Sequence, residues 1–199
     1  LAADNPPLNT PIYQSVKFTI SGLSELKRLF HGQREGYFYQ RHSNPTTSAL
    51  QRLLASLQGC EAARVTATGA AAISSSLLTL LEAGDHLIYF IESYQPSRTF
   101  IETVLKRFGV IGVRLSMQDE AGIKQAFAHP KAKVCLFESV SNPQLSAAPL
   151  ELLANLAKQH DVFTIHDSTF AGFQPKLPWS FDITLHSLTK YANGHGDVM

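Results

Sequence analysis

Hydrophobic residues recur along this chain in two alternating patterns, one with helical spacing and one of short continuous runs. After residue 45, leucines spaced by three and four positions predict a helix that Thr46 or Thr47 caps and Gly59 ends. Runs of five or six mostly apolar residues indicate strands, because strands buried on both faces read as continuous hydrophobic stretches. Six such runs predict strands at 63–68, 86–91, 110–115, 133–138, 162–166 and 181–186.

Helical patterns fill most of the gaps between these runs. They predict helices at 71–83, 99–108, 119–127 and 149–160, of which Gly84 ends the first and Gly109 the second. Strands that alternate with helices favour the α/β class, with a mainly parallel sheet between two layers of helices, an α-β-α sandwich. Ligands of such sheets bind beyond the carboxyl ends of the strands, so the residues that follow each strand are the candidates for a site.

Residues 1–45 have a different character. They are rich in proline, contain the aromatic cluster "GYFYQRHSNP" and carry one short helical pattern, "SELKRLF". This composition predicts an arm that crosses other surfaces, followed by the main domain over 46–199.

Composition excludes several classes of function. The 199 residues include 17 Lys+Arg and 16 Asp+Glu, and no basic stripe typical of nucleic-acid binding is present. No apolar run reaches the ~18 residues of a membrane helix, and the first residues lack the pattern of a signal peptide. Cys60 and Cys135 each lie among apolar residues, which favours buried free thiols. We therefore predict a cytoplasmic globular protein.

The turn after the first predicted strand is built from small residues. Gly69 and three alanines open a helix in "TATGAAAISSS", where a ligand can approach the backbone closely. Free N–H groups at a helix start attract an anion such as phosphate. The glycine spacing fits neither a Walker loop nor GxGxxG, and an ordinary strand-to-helix turn is the alternative.

Polar side chains follow two of the other strands. Tyr94 comes after the second strand, where a tyrosine can lie over an aromatic ring, move a proton, or simply be a partly buried loop residue. Glu138 and Asn142 lie on the loop after the fourth strand. Because Asn-Pro is a common turn signal, Asn142 is as easily structural as functional.

An acid and an amine follow the last two strands. Asp167 has apolar neighbours, where a carboxylate is costly unless a cation meets it, although a helix cap or a salt bridge would also explain it. Lys190 closely follows Ser187 and Thr189. A lysine there either neutralises a phosphate or acts as a nucleophilic amine that forms a Schiff base.

Together these features match the needs of pyridoxal 5'-phosphate (PLP). The lysine holds the aldehyde carbon, and the aspartate keeps the ring nitrogen protonated so that the ring accepts electrons. Hydroxyls and helix N–H groups hold the phosphate, and the tyrosine stacks on the ring.

Five segments carry a resemblance to a known family, in its order and at its distances: "YQRHSNPT", "TATGAAAI", "ESVSNP", "HDSTFA" and "HSLTKYANGHGDVM". From about Pro11 to Met199 the chain resembles the Cys/Met-metabolism family of fold-type I PLP-dependent enzymes. That family includes cystathionine γ-synthase, cystathionine γ- and β-lyases, methionine γ-lyase and the O-acyl-homoserine sulfhydrylases. The resemblance implies the large domain of a fold-type I PLP-dependent transferase.

The resemblance implies a role for each candidate residue. Lys190 carries PLP as a Schiff base and then shuttles protons between substrate carbons. Asp167 pairs with the pyridinium nitrogen, and Tyr94 stacks on the ring and acts in acid/base steps. Asn142 lies near the ring hydroxyl or the substrate carboxylate. The groups implied to bind the phosphate are the amides of Gly69 and Ala70 and the hydroxyls of Ser187 and Thr189.

The resemblance also implies partners. Tyr39 and Arg41 match the pair that reaches the phosphate of a neighbouring subunit, so a homo-oligomer with shared active sites, usually a tetramer of two dimers, is expected. Family members continue with the rest of the large domain and a smaller C-terminal domain that carries an arginine for the substrate carboxylate. The chain is therefore expected to be one part of a longer protein.

Three departures from the family pattern stand out. The chain reads Tyr94-Gln95-Pro96 where the family commonly has Tyr-Gly-Gly, which affects a loop beside the substrate. Ser168 replaces a common asparagine, and Thr68-Gly69-Ala70 replaces Ser-Gly-Met. Thr68 keeps the hydroxyl, so phosphate binding is expected to survive.

The expected activity is γ-replacement on an activated homoserine ester, as in cystathionine γ-synthase. The alternative of the same class is β- or γ-elimination on cystathionine, methionine or cysteine. A non-catalytic scaffold on the same fold is a further alternative. A metal site is the last one, from His186, His195 and Asp197 with His166 and Asp167 upstream, although their spacing is irregular for zinc and no metal is expected.

Overall fold

The computed structural model describes residues 8–174 and 177–198. The chain divides into two compact units, with the boundary between Val65 and Thr66. The sequence placed its boundary after residue 45, and the role of residues 1–45 as an arm on a neighbouring subunit stays a prediction.

In its described part, from residue 8 onward, the first unit contains two helices, α1 (Leu23–Phe30) and α2 (Pro45–Gln58). The cap predicted for α2 is wrong, because the side chain of Asn44 accepts a hydrogen bond from the Thr46 amide at 2.8 Å and Asn44 is the N-cap. Pro45 then takes the first helical position, where its missing N–H leaves no intrahelical bond unmade. Gly59 ends the helix as predicted, in the left-handed conformation with φ 72°.

A five-stranded parallel sheet organises the second unit. Its strands are β1 (His86–Phe90), β2 (Ile111–Leu115), β3 (Ala132–Glu138), β4 (Phe163–Asp167) and β5 (Ile183–Leu185). Their spatial order is β2-β1-β3-β4-β5, and every neighbouring pair is parallel. The predicted parallel α/β sheet is therefore confirmed.

The strand predicted at 63–68 is wrong. Residues 62–66 have no regular secondary structure, and Ala63 and Val65 are only half-buried. A strand is stable only when its backbone groups pair with a neighbour, and within 8–174 and 177–198 no segment pairs with this one. Its apolar sequence indicated burial but carried no information about a pairing partner.

Four helices and a 3₁₀ turn accompany the sheet: α3 (Gly69–Leu80), α4 (Gln95–Thr103), the turn Leu105–Phe108, α5 (Glu120–Phe127) and α6 (Leu150–His160). The helix predicted at 99–108 is thus two elements, and Gly109 with φ 83° ends the second. Gly84 does not end α3, because Leu81 is already extended and serves as the C-cap.

The core consists of two hydrophobic clusters on the two faces of the sheet. Leu87 and Tyr89 of β1 belong to one cluster, whereas Ile88 and Phe90 belong to the other, as the alternation of side chains along a strand requires. The first cluster includes apolar residues of α3 and α4, and the second includes those of α5 and α6. Helices therefore cover both faces, as the sequence predicts.

The two cysteines lie in different environments. Both are free thiols, and Cys135 of β3 is buried, as predicted. Cys60 is exposed, which corrects the prediction, because it lies just beyond the Gly59 cap where the chain has left α2. Among the residues that the structure describes, no helix combines the length and the apolar character needed to cross a lipid bilayer.

Candidate active site

A cavity of about 700 Å³ opens at the carboxyl ends of β3, β4 and β5, beside the start of α3. Its wall brings together residues that are up to 128 positions apart in the sequence, from Thr68 to Gly196. Among the residues predicted for the site, those that line the cavity are Gly69, Ala70, Tyr94, Asn142, Asp167, Ser187, Thr189 and Lys190.

The start of α3 presents free amides to this cavity. Thr68 is the N-cap, and its hydroxyl accepts a hydrogen bond from the Ala71 amide at 3.0 Å. The amides of Gly69 and Ala70 donate to no group within the described part of the chain. Two N–H donors at the positive end of a twelve-residue helix suit an anion.

Gly69 lets the loop after β5 pack directly on the helix start. A Cβ atom at this position would lie 2.8 Å from the Cβ of Ser187 and 3.1 Å from its hydroxyl oxygen. Only glycine permits such an approach without displacing backbone. The hydroxyls of the loop and the amides of α3 are therefore held side by side.

The loop after β5 carries a small network of hydroxyls and one amine. The hydroxyl oxygens of Ser187 and Thr189 lie 2.8 Å apart, and the Ser187 amide donates to the Thr169 hydroxyl at 2.8 Å. The Lys190 amine donates to the Thr189 hydroxyl at 3.3 Å and is exposed at the cavity. The amine therefore lies next to the group of donors that would hold an anion.

Asp167 ends β4 in a half-buried position. One of its carboxylate oxygens accepts a hydrogen bond from the Thr169 amide at 3.0 Å. Within 8–174 and 177–198 it forms no ion pair with a lysine or an arginine. Burial lowers the pKa of the neighbouring His186, and the negative charge of Asp167 acts against that change. The cavity thus has an acid on the wall beyond β4 and an amine on the loop beyond β5.

Glu138 is a cavity residue that sequence reasoning did not assign to the site. It ends β3 beside Asp167 of β4, in register with it, and only 8% of its surface is exposed. Its carboxylate accepts hydrogen bonds from the amides of Tyr94 and Asn142, the second at 3.2 Å. Burial raises the pKa of Glu138 to about 7, and the charge of Asp167 adds to that effect. An acid that ends an apolar strand was the available sequence signal.

Two aromatic residues at the cavity were also not predicted. Phe170 and Tyr191 line it with ring centroids 5.3 Å apart in an edge-to-face arrangement. Each follows a predicted site residue closely in the sequence, but nothing in the sequence shows that the two loops meet.

Tyr39 and Arg41 belong to the other compact unit. There Tyr39 forms an antiparallel bridge with Lys17, and the guanidinium carbon of Arg41 lies 5.0 Å from the centre of the Tyr39 ring. Their contact with the phosphate of a neighbouring subunit stays a prediction.

The residues of the cavity suit PLP. Two free amides and two hydroxyls match a phosphate, and an amine beside them matches an aldehyde. A carboxylate without a lysine or arginine partner in the described chain matches a protonated pyridine nitrogen. The volume lies within the range usual for sites of small ligands. By contrast, the described residues contain no group of three His, Cys, Asp or Glu side chains placed to hold one metal ion.

The parallel sheet, together with a cavity at its carboxyl edge that holds a lysine, an aspartate and free helix amides, has the architecture of the large domain of fold-type I PLP-dependent enzymes. The chain belongs to the family "Cys/Met metabolism PLP-dependent enzyme", whose model matches residues 4–199. The family proposed from the sequence is therefore confirmed.

Relatives with different activities are similar to this chain. An L-methionine gamma-lyase of Pseudomonas putida is 35% identical over 190 residues, which cover 94% of this chain and 48% of that protein. A chloroplastic cystathionine gamma-synthase 1 of Nicotiana tabacum is 31% identical over 194 residues, 96% of this chain and 36% of the relative.

A solved structure is similar over the same region. A Campylobacter jejuni protein described as an O-acetylhomoserine (thiol)-lyase matches with a TM-score of 0.86 and 32% identity, over 94% of this chain and 47% of its own. It contains N'-pyridoxyl-lysine-5'-monophosphate, which is PLP attached to a lysine. The chain spans about half the length of most of the relatives that it matches.

Proposed function

We propose that this chain is the cofactor-binding part of an enzyme that catalyses γ-replacement on an activated homoserine ester, as cystathionine γ-synthase does. The observation that carries the proposal is the meeting of Lys190, Asp167 and the free amides of α3 in one cavity. Similarity to a cystathionine gamma-synthase supports the choice of reaction.

Phosphate would be held at one end of the cavity. The amides of Gly69 and Ala70 and the hydroxyls of Ser187 and Thr189 would donate hydrogen bonds to its oxygens. The helix start adds a favourable partial positive charge. This end of the cavity would therefore fix the position of the whole cofactor.

The remaining residues would act on the reactive part of the site. Asp167 would keep a proton on the ring nitrogen, and the exposed ring of Tyr94 would cover one face of the cofactor. Bound PLP supplies an electron sink that stabilises negative charge on the substrate's α-carbon. Lys190 would take the proton from that carbon, and a γ-reaction needs a second proton removal, from the β-carbon.

Elimination is the second candidate for the same site. Its support is the similarity to an L-methionine gamma-lyase. Both reactions begin with removal of the α-proton, so the residues named above serve either of them. The Gln95-Pro96 sequence beside Tyr94 is the place where the two specificities are expected to differ.

The proposal extends to assembly and location. Tyr39 and Arg41 would contribute to the cofactor phosphate of a neighbouring copy, in a homo-oligomer that shares its sites. Two free cysteine thiols favour the cytoplasm, where thiols stay reduced.

The cofactor part of the proposal has a spectroscopic test. Protein loaded with PLP is expected to absorb visible light, and Lys190→Ala is expected to remove that absorbance because the covalent attachment is lost. Lys158→Ala is the matched control, since this exposed lysine lies on α6 and outside the cavity. An unchanged spectrum in Lys190→Ala would end the proposal.

The choice of reaction is decided by the products. With O-succinylhomoserine and cysteine, replacement yields cystathionine, whereas elimination yields ammonia and a 2-oxo acid. Formation of cystathionine supports the first candidate, and formation of the oxo acid alone supports the second. A PLP-loaded full-length protein with neither product, and no turnover of cystathionine or methionine, would favour the scaffold.

A further inference from the structure

Two loops at the cavity are tied together by a single acidic side chain. We propose that Glu138 is a positioning residue that fixes the distance between the loop carrying Tyr94 and the loop carrying Asn142. The consequence for the cofactor rests on the proposed function, whereas the structural role does not.

The two carboxylate oxygens of Glu138 have separate partners. One oxygen accepts a hydrogen bond from the Tyr94 amide, and the other accepts one from the Asn142 amide at 3.2 Å. Tyr94 lies 44 positions before Glu138, on the segment that follows β1, and Asn142 lies on the loop that follows β3. A single side chain thus bridges segments that are remote in sequence.

Each loop is otherwise organised by its own local bonds. The carbonyl of Tyr94 accepts from the amides of Ser97 and Arg98, which lie in the first turn of α4. In the other loop, the Ser141 carbonyl accepts from the Leu145 amide. Among the hydrogen bonds of the described residues, those made by Glu138 alone join the two loops.

Burial explains why this bridge is held firmly. Only 8% of the surface of Glu138 is exposed, so water does not readily replace the two amide donors. Its paired neighbour on β4 is Asp167. An unsatisfied buried carboxylate is strongly unfavourable, and the two N–H groups compensate for lost hydration. The guanidinium of Arg98 contributes a favourable charge nearby and itself donates to the Ser93 carbonyl at 2.9 Å.

The hydrogen bonds of Glu138 position the backbone of two residues, Tyr94 and Asn142, whose side chains are largely exposed. Tyr94 is 45% exposed, and Asn142 is also exposed, although both line the cavity. Their backbone positions therefore set where a stacking ring and a polar amide are presented. Glu138 would act through these two residues rather than on the substrate.

Hydrogen–deuterium exchange of the cofactor-free protein tests the bridge without reference to activity. Glu138→Met removes both acceptors at similar length, so exchange is expected to accelerate in peptides covering both 93–98 and 140–146. Glu138→Gln keeps one acceptor oxygen, so only one of these loops is expected to accelerate. Slow exchange in peptides from β3 shows that a variant has kept its fold. If Glu138→Met does not fold, the result with Glu138→Gln decides whether Glu138 holds the two loops.

Glu92→Gln is the matched control. Glu92 is as buried as Glu138 and lies on the same segment as Tyr94, but it accepts hydrogen bonds from Ser116 and Met117 and not from the loop that carries Asn142. Its variant is expected to accelerate exchange near 116–117 and to leave peptides covering 140–146 unchanged. Unchanged loop exchange in a folded Glu138→Gln, or acceleration at 140–146 in Glu92→Gln equal to that in Glu138→Met, would overturn the proposal.

Titration with PLP measures the consequence for the site. Loss of one buried hydrogen bond is expected to weaken PLP binding in Glu138→Gln by about 3- to 10-fold. The effect should appear in Kd even though Glu138 makes none of the proposed phosphate contacts. If the wild-type protein itself fails to bind PLP, the proposed function fails, while the exchange experiment still decides the role of Glu138.

Discussion

Glu138 and Asp167 occupy paired positions at the carboxyl ends of two neighbouring parallel strands, so two carboxyl groups line one cavity. Their surroundings differ. Asp167 is half-buried and accepts from one amide, whereas Glu138 is buried and accepts from two. Because like charges oppose each other, the charge of Asp167 adds to the effect of burial and raises the pKa of Glu138.

The stability of the protein is expected to depend on pH through Glu138. Burial raises its pKa from 4.5 to about 7 in the folded state, so its favourable contribution is complete below pH 4.5 and is lost as pH rises through 7. This group alone would lower the free energy of unfolding by on the order of 3 kcal/mol across that range. Urea unfolding at several pH values measures how the free energy of unfolding changes with pH. Glu138→Gln is expected to remove the part of this change that Glu138 contributes. The same slope in both proteins would contradict the prediction.

His166 is expected to change the stability in the opposite direction, over a pH range that overlaps that of Glu138. It is fully buried between Phe137 and Phe181, its Nε2 lies 2.6 Å from the Ser139 hydroxyl, and its Nδ1 has no hydrogen-bond partner among the described residues. Burial lowers the pKa of His166 from 6.5 to about 4. Its contribution to stability is therefore present above pH 6.5 and is lost as pH falls towards 4, because the unfolded chain binds the proton more strongly.

A variant without the imidazole tests this assignment. His166→Leu is expected to be less stable at pH 7 because the bond to Ser139 is lost, but to lose less stability between pH 6.5 and 4. Between pH 6.5 and 4, the free energy of unfolding of the wild-type protein should fall by on the order of 3 kcal/mol more than that of His166→Leu. Equal acid sensitivity in the two proteins would show that His166 is not the group responsible.

Substitution of Gly69 is expected to separate the start of α3 from the loop that carries Ser187. In Gly69→Ala the new methyl group would meet the Ser187 Cβ at 2.8 Å, so backbone must move. Overpacking of this kind costs about 1–3 kcal/mol, which thermal unfolding measures. If the phosphate binds where we propose, the affinity for PLP is expected to fall as well.

Gly22→Ala provides the control for this substitution. Gly22 lies at the start of another helix, as the N-cap of α1, but a Cβ there meets no atom within 4 Å. A smaller loss of stability and unchanged PLP affinity are expected. Equal effects of the two substitutions would show that the close approach to Ser187 is unimportant.

Local sequence patterns predicted much of the fold and of the cavity wall. The apolar runs of β1, β3 and β4 were recognisable because a strand buried on both faces leaves a continuous hydrophobic signature. The glycine that opens α3, and the polar residues that end the strands, were found because parallel strands direct their carboxyl ends to one edge. Both kinds of inference need only residues that are close in the sequence.

Contacts between remote segments were decided by the tertiary structure. The sequence alone indicated that a parallel α/β sheet would form and that Asp167 and Lys190 would lie beyond the ends of its last two strands, on the same side. Only the folded chain placed Glu138 in register with Asp167 and against the amide of Tyr94, and only there did residues 62–66 prove to have no pairing partner in the described chain. The physical reason is that periodicity reports burial of single residues, whereas pairing depends on which segments meet in space.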